Sequence, residues 1–284
     1  MAEYQEYNWR TNNVLSEPTD NKTVYKNYTA KDREVAVNAL RNLMISCDDC
    51  ELRRYSGEDD KLLQKMLFAR NFVLEDSFEL LKNYVYYRRR NPDIFRNLHL
   101  YSEDVRKALE NGLPGVLKDK DRKGRCVLLL TATNWDGSYS LLTIYRAILV
   151  ALEHLTNEIH NQANGFVVIV DWTEFSYRQS LYLKPAILKL IIEGLQDCFP
   201  AKFKGIHFIG QPWYVDAALT MIKPFLKEEI KERIFKHGNN LSTLHELVHK
   251  DVLPAELGGE QPSYNPSSFL ASLDSHKKGE VNGN

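Results

Sequence analysis

The sequence predicts an α/β fold in two parts, an N-terminal helical bundle followed by a mixed, largely parallel sheet covered by helices. Three observations carry this. Apolar residues in roughly the first hundred positions recur at helical spacing without a strand-like run. Beyond Leu113-Pro114-Gly115, short apolar runs read as buried strands: CVLLLT (126–131), GFVVIV (165–170) and GIHFIG (205–210). Helical patterns separate these runs, and that alternation builds parallel sheets.

The elements follow in order. Residues 1–30 are polar and aromatic with little periodicity and read as a flexible arm. A helix starts near Ala30, with Val35, Leu40, Leu43 and Ile45 spaced roughly for one face. The acidic turn at 56–60 opens another, because Asp and Glu favour the positive end of the helix dipole. Leu62, Leu63, Met66, Leu67 and Ala69 form its apolar stripe, and Asn71-Phe72-Val73 breaks it. A third helix covers about 74–90 and stops before Asn91-Pro92. In the second part, helices are expected over 141–160, 185–197 and 212–232, the last broken near Pro224, with a short strand at 234–237. From Glu260 onward Pro, Ser, Gly, Asn and Lys dominate, so residues 263–284 are expected to be a disordered tail.

Composition sets limits on function. The chain has 284 residues, 43% hydrophobic and 26% charged, which suits one or two soluble globular domains with a sizeable core. A net charge of -1 gives no bulk attraction to nucleic acid or an anionic membrane, so no nucleic-acid partner is expected and any such contact needs a local patch. The longest purely apolar run, 147–152, is far short of the ~20 residues of a membrane helix. The opening MAEYQEYNWR lacks the apolar core of a secretory signal. A cytoplasmic location is therefore expected, with Cys47, Cys50, Cys126 and Cys198 reduced.

No enzyme class collects a complete residue set. HELVH at 245–249 fits the zinc-protease pattern, in which two His one helical turn apart bind metal and the Glu is the base. Its continuation lacks the glycine and third histidine of metzincins, places held by Val252 and Ala255. A short amphipathic helix with Leu244, Leu247 and Val248 inward accounts for the run. Cys47 and Cys50 have CxxC spacing without a second pair, and no phosphate loop or nucleophile elbow is present. No metal, cofactor or catalytic residue is expected. The segment 210–236 is richer: a helix apolar over more than one stripe, with Lys223, Lys227, Lys231, Arg233 and Lys236 crowding its second half. Periodicity alone favours a core helix with a solvated basic end.

Several stretches resemble the CRAL-TRIO lipid-binding family, and its clavesin branch most. They are Ala69-Arg70-Asn71-Phe72, Asn134-Trp135-Asp136, NGFVVIVDW (164–172), GLQDCFPAKFKGIHF (194–208), IKPFLK (222–227), HGNN (237–240), and Leu253-Pro254 with Gly258-Gly259. They run in family order over about 55–262. The resemblance implies a helical domain over 31–100 and a domain over 101–262 whose sheet and helices enclose a lipid cavity. It places Ile148, Leu152, Phe166 and Ile191 in the cavity wall, with Leu195, Phe199 and Ile206. It makes 210–233 a mobile lid, carrying Trp213, Tyr214, Val215 and Ala218, then Leu219, Ile222, Phe225 and Leu226. It also implies a phosphoinositide headgroup site at Arg70, Lys202, Lys204 and Arg233, with Glu229 where the alpha-tocopherol transfer protein carries a basic residue.

The partners so implied are a hydrophobic lipid, a phosphoinositide headgroup such as phosphatidylinositol 3,5-bisphosphate, and a membrane surface, endosomal or trans-Golgi. The expected activity is lipid exchange under the lid, without enzymatic chemistry. The alternatives are a phosphoinositide-dependent trafficking adaptor without net transfer and, distantly, a zinc hydrolase using HELVH.

Overall fold

The computed structural model describes residues 28–55, 57, 59–99 and 102–281. Residues 1–27 of the expected arm lie outside the described residues. The first part is helical: α1 (Ala30–Ser46), α2 (Cys50–Tyr55), α3 (Asp60–Ala69), α4 (Leu74–Arg90), α5 (Pro92–Phe95) and α6 (Glu103–Glu110). Local chemistry sets the starts. Thr29 and Asp32 form a capping box on α1, and Asp59 accepts from the Lys61 amide at the start of α3. Leu40, Met44, Leu63, Met66, Leu67, Leu80 and Leu81 close a core of their own between α1, α3 and α4.

The second part is β1 (Gly115–Val116), β2 (Cys126–Thr131), α7 (Leu141–Leu155), α8 (Ile159–Asn164), β3 (Phe166–Asp171), α9 (Tyr177–Ser180), α10 (Pro185–Glu193), β4 (Phe203–Ile209), α11 (Trp213–Ile222), α12 (Glu228–Lys231), β5 (Ile234–Gly238) and α13 (Leu241–Leu247). A 3-10 turn, Lys223–Phe225, separates α11 from α12, because Pro224 cannot continue the helix. The strands lie in the order β1-β2-β3-β4-β5; β1 is antiparallel to β2 and the remaining pairs are parallel. The expected mixed, largely parallel α/β fold is what forms.

The two faces of the sheet are filled differently. Val127, Leu129, Val167 and Ile169 pack against Leu244, Val248, Leu253 and Leu257 and are sealed from solvent. On the opposite face Leu130, Val168, Val170 and Ile206 stay only half-buried. Helix α10 is almost wholly apolar, yet none of its residues is buried.

The tail corrects the sequence reading. Residues Ser267–Val281 form a helix, α14, whose Phe269, Leu270 and Leu273 are buried in the main core. Arg106 pairs with Asp274 at 2.9 Å, and the Tyr264 hydroxyl accepts from the Val116 amide. Composition pointed to disorder, but three apolar side chains at i, i+1 and i+4 outweigh it by docking on the domain.

Candidate functional site: a basic cleft beside an exposed aromatic helix

The cleft begins where α3 ends. Asn71 and Phe72 both take left-handed backbone, φ 51° and 62°. Asn tolerates this; an aromatic residue seldom does, and such strain persists only where packing enforces it. Here the Phe72 amide donates to the Leu67 carbonyl at 2.8 Å, and its ring stacks on Tyr28 and meets Phe68 edge-on. The reversal carries Arg70 and Asn71 across to the 196–204 segment. Arg70 donates to the Gln196 carbonyl at 3.5 Å, and Lys202 Nζ donates to Asn71 Oδ1 at 2.7 Å. At the head of β3 the backbone passes so close to Lys202 that a Cβ on Gly165 would lie 2.6 Å from its carbonyl oxygen, so only glycine fits.

A π-helical turn, Gly194–Cys198, follows α10 and supplies the cleft's other wall. Such turns re-aim the side chains that follow. The one here wraps two tyrosine hydroxyls: a Cβ on Gly194 would sit 1.8 Å from that of Tyr145 and 2.7 Å from that of Tyr87. Tyr87 donates to the Leu190 carbonyl at 2.8 Å, tying α4 to α10. Gln196 then reaches the turn after α11, donating to the Phe225 carbonyl at 3.2 Å and accepting from the Lys227 amide at 2.9 Å. Asp197 pairs with the Lys227 ammonium.

Arg70, Lys202, Lys204 and Arg233 thus line one cleft of about 460 Å³, although up to 163 positions separate them in sequence (Arg70 to Arg233). Lys227 joins them, and the carboxylates Asp76, Glu79, Asp197 and Glu229 share the walls. Sequence reasoning missed Gln196, Asp197 and Lys227, whose roles depend on the π-helical turn. Lys202 is 7% exposed. Burial, then the like charges of Lys204 and Arg70, lower its amine to about 8. Burial also lowers Arg70, opposed by Asp197, Glu229 and Asp76.

Helix α11 buries Val215 and Ile222, keeps Tyr214, Ala218, Leu219 and (beyond it) Leu226 half-buried, and leaves Trp213 73% exposed together with Met221 and Phe225. The structure adds residues that the sequence reading passed over. On and after α9, Tyr177, Leu181 and Tyr182 are exposed, with Tyr177 stacked against Trp213 at 6.3 Å. Tyr177 also meets Tyr214 edge-on at 5.6 Å, so an aromatic cluster with exposed members joins α9 to α11.

The expected cavity residues divide. Ile148, Ile191, Leu195 and Ile206 are half-buried, and Leu195 also lines the basic cleft. Leu152 and Phe166 expose no surface and belong to the packed core. Phe199 sits in the same core at the junction with Tyr87 and Phe95. The resemblance assigned these three to a cavity wall; here they pack into the main core.

HELVH does not build a metal site. Helix α13 ends at Leu247, and Val248 is extended, so His249 lies off the helix. His245 Nε2 lies 2.8 Å from the Leu257 carbonyl oxygen, and His249 faces Asp251. Among the described residues no three His, Cys, Asp or Glu side chains cluster as metal ligands, and no helix is long and apolar enough to cross a membrane.

A mostly parallel sheet with one face sealed and the other part-filled beneath apolar helices defines an α/β domain with a helical bundle before it. The CRAL/TRIO domain model matches residues 110–259, and the chain belongs to that family. Among curated proteins it is 46% identical over 238 residues to Clavesin-1 of Xenopus laevis, covering 84% of this chain and 71% of that one. It is 43% identical over 242 residues to Clavesin-2 of Homo sapiens, covering 85% and 73%. Clavesin-1 of Rattus norvegicus is likewise 46% identical, with 66% of its length spanned. The protein is therefore clavesin-like. The crystal structure of Sfh5 shares the fold, with a TM-score of 0.54 at 15% identity, covering 94% of this chain and all of that one. As a family member, the chain is a lipid-binding or lipid-transfer protein.

Proposed function

We propose that this protein carries a hydrophobic lipid in a hollow between the half-filled sheet face and α10–α11, and exchanges it at phosphoinositide-containing membranes. The observation that carries this is the convergence of Arg70, Lys202, Lys204 and Arg233 on one cleft whose wall, through Gln196 and Asp197, also clasps the lid's end. Ile148, Ile191, Leu195 and Ile206 line the hollow. Residues 31–100 serve as the helical domain and 101–262 as the lipid-binding domain.

A lipid tail leaves water at ~0.8 kcal/mol per CH₂, so about 15 carbons gain on the order of 12 kcal/mol. Release into water is then very slow, and a membrane has to receive the cargo. The headgroup docks in the cleft by charge-assisted hydrogen bonds. Trp213, Tyr214 and Phe225, with Tyr177 and Leu181, enter the interface as amphipathic segments do. The lid swings out and the hollow exchanges its contents. The setting is cytoplasmic and peripheral, on endosomal or trans-Golgi membranes, with phosphatidylinositol 3,5-bisphosphate the first headgroup to try.

The test joins native mass spectrometry with vesicle-to-vesicle transfer. A one-to-one bound lipid and phosphoinositide-stimulated transfer, lost in Lys202→Ala/Lys204→Ala/Arg233→Ala, are expected. Stimulation that persists in the triple variant sinks the headgroup site. An empty protein that still binds the vesicles turns the reading to a recruitment adaptor.

A further inference from the structure

The five cations of the cleft are not equivalent, and the difference bears on which headgroup it takes; this inference rests on the proposed function above. The outer pair carries its own counter-ions. Arg233 donates to Glu229 at 2.6 Å and to the Phe203 carbonyl at 2.9 Å, while Lys227 pairs with Asp197. Lys202 has no such partner among the described residues. Its ammonium is buried and donates to a neutral amide, Asn71 Oδ1, at 2.7 Å. The charges that act on it most, Lys204 and Arg70, have its own sign. Asn71 is held for this contact by a left-handed backbone locked in place by Phe72.

A buried, uncompensated cation gains most from an arriving anion. A cation already beside a carboxylate gains less, because the carboxylate must first move away and repels the anion until it does. We propose that the cleft holds two unequal phosphate subsites. The inner one, at Lys202, takes the first phosphomonoester of a phosphorylated polyol lipid headgroup, and Asn71 positions the amine for it. The outer one, at Arg233, takes a second phosphate only when Glu229 leaves, so Glu229 sets how far a headgroup with two phosphates is preferred over one. The cleft, at about 460 Å³, has the volume for a six-membered polyol ring.

The experiment is flotation with phosphatidylcholine vesicles that contain no phosphoinositide, a phosphatidylinositol monophosphate or a bisphosphate. Glu229→Gln should tighten binding to the bisphosphate by about five- to tenfold and leave the monophosphate within about twofold. Glu228→Gln removes the same charge one residue away, from a side chain 84% exposed and paired with Lys231 outside the cleft, and should change neither. Lys202→Met should weaken both ligands. Asn71→Gly keeps the left-handed turn and should weaken both by one common, smaller factor at unchanged melting temperature; it should also shift the pH profile of binding, which a merely structural role leaves in place.

Equal tightening of both ligands by Glu229→Gln, or the same gain from Glu228→Gln, would mean bulk charge and overturn the two-subsite reading. Discrimination seen with soluble inositol phosphates but not with vesicles would assign the site to a free metabolite and overturn the lipid assignment. Wild-type protein that binds all three vesicles alike defeats the proposed function itself, a result distinct from either of these.

Discussion

The two faces of the central sheet are made of the same residue types and end in opposite states. On one, Val167 and Ile169 are 0% exposed, sealed by Leu244, Val248 and Leu253. On the other, the neighbouring Val168 and Val170, with Leu130 and Ile206, keep accessible surface beneath helices that bury little of their own apolar area. The half-filled region lies toward the carboxyl ends of the parallel strands, where open α/β sheets hold ligands. One face is packed shut and the other is left part-filled, the side on which the proposed cargo would lie.

The largest expected effect tests that division directly. Ile169→Ala leaves a void in a sealed layer and should destabilise the fold by about 3 kcal/mol, read by chemical denaturation. Val168→Ala, one residue away, should cost under about 1 kcal/mol, because its side chain is already incompletely packed. Equal losses would abolish the distinction between the faces.

Enlargement reverses the logic. Val167→Phe overpacks the closed face and should cost roughly 1–3 kcal/mol. Val168→Phe has room, so its cost should stay within about 1 kcal/mol. Its signature should appear in lipid content instead: native mass spectrometry of Val168→Phe should show less bound lipid than wild type. Full lipid occupancy in that variant would place the cargo elsewhere.

These contrasts also explain what the sequence disclosed. The strands were legible because fully buried parallel strands are nearly continuous apolar runs, as in CVLLLT and GFVVIV. Which of two adjacent valines stays half-buried was not, since both faces take the same residues. The apolar helix α11 was visible, but its periodicity favoured a core helix, and only the resemblance implied a covering role. The basic cleft depends on Arg70 meeting Lys202 across 132 positions, which no local pattern encodes. Gln196 carried no local signal of its role, because it is aimed by a π-helical turn that packs around the buried Tyr87–Tyr145 pair. The tail helix did leave a signal in Phe269, Leu270 and Leu273, and composition masked it.

A smaller effect concerns how the open face is covered. Gln196→Ala removes both side-chain hydrogen bonds to the turn after α11, the end of the proposed lid, while leaving the Asp197–Lys227 pair. Each such bond contributes ~1 kcal/mol or less at a partly exposed site, so lipid exchange should speed up by about tenfold at nearly unchanged melting temperature. An unchanged exchange rate would show that the lid is held at its other end.

The buried ionisable groups repeat the contrast. Beneath the closed face they are satisfied within the protein. Arg125 pairs with Asp121 at 2.5 Å, and His207 lies 3.0 Å from His237, lowered by burial to about 3 and therefore neutral at working pH. Lys202 is different, a buried amine lowered to about 8 with only an amide for a partner. Arg70 and Lys204 face it from the neighbouring walls, and Asp76, Glu79, Asp197, Glu229, Lys227 and Arg233 complete the cleft. An anion beside the amine favours its charged form, so headgroup binding raises that value and takes up a proton above it. Affinity should then be full below about pH 8 and fall as pH rises past it, by roughly tenfold at most between pH 7 and 9. A phosphomonoester has its second pKa near 6, so it is already about nine-tenths ionised at pH 7, and the slope it adds is small and of opposite sign. Lys202→Met should flatten the profile. A profile equally steep in that variant would assign the proton to another group, and Lys202 would then be a fixed charge.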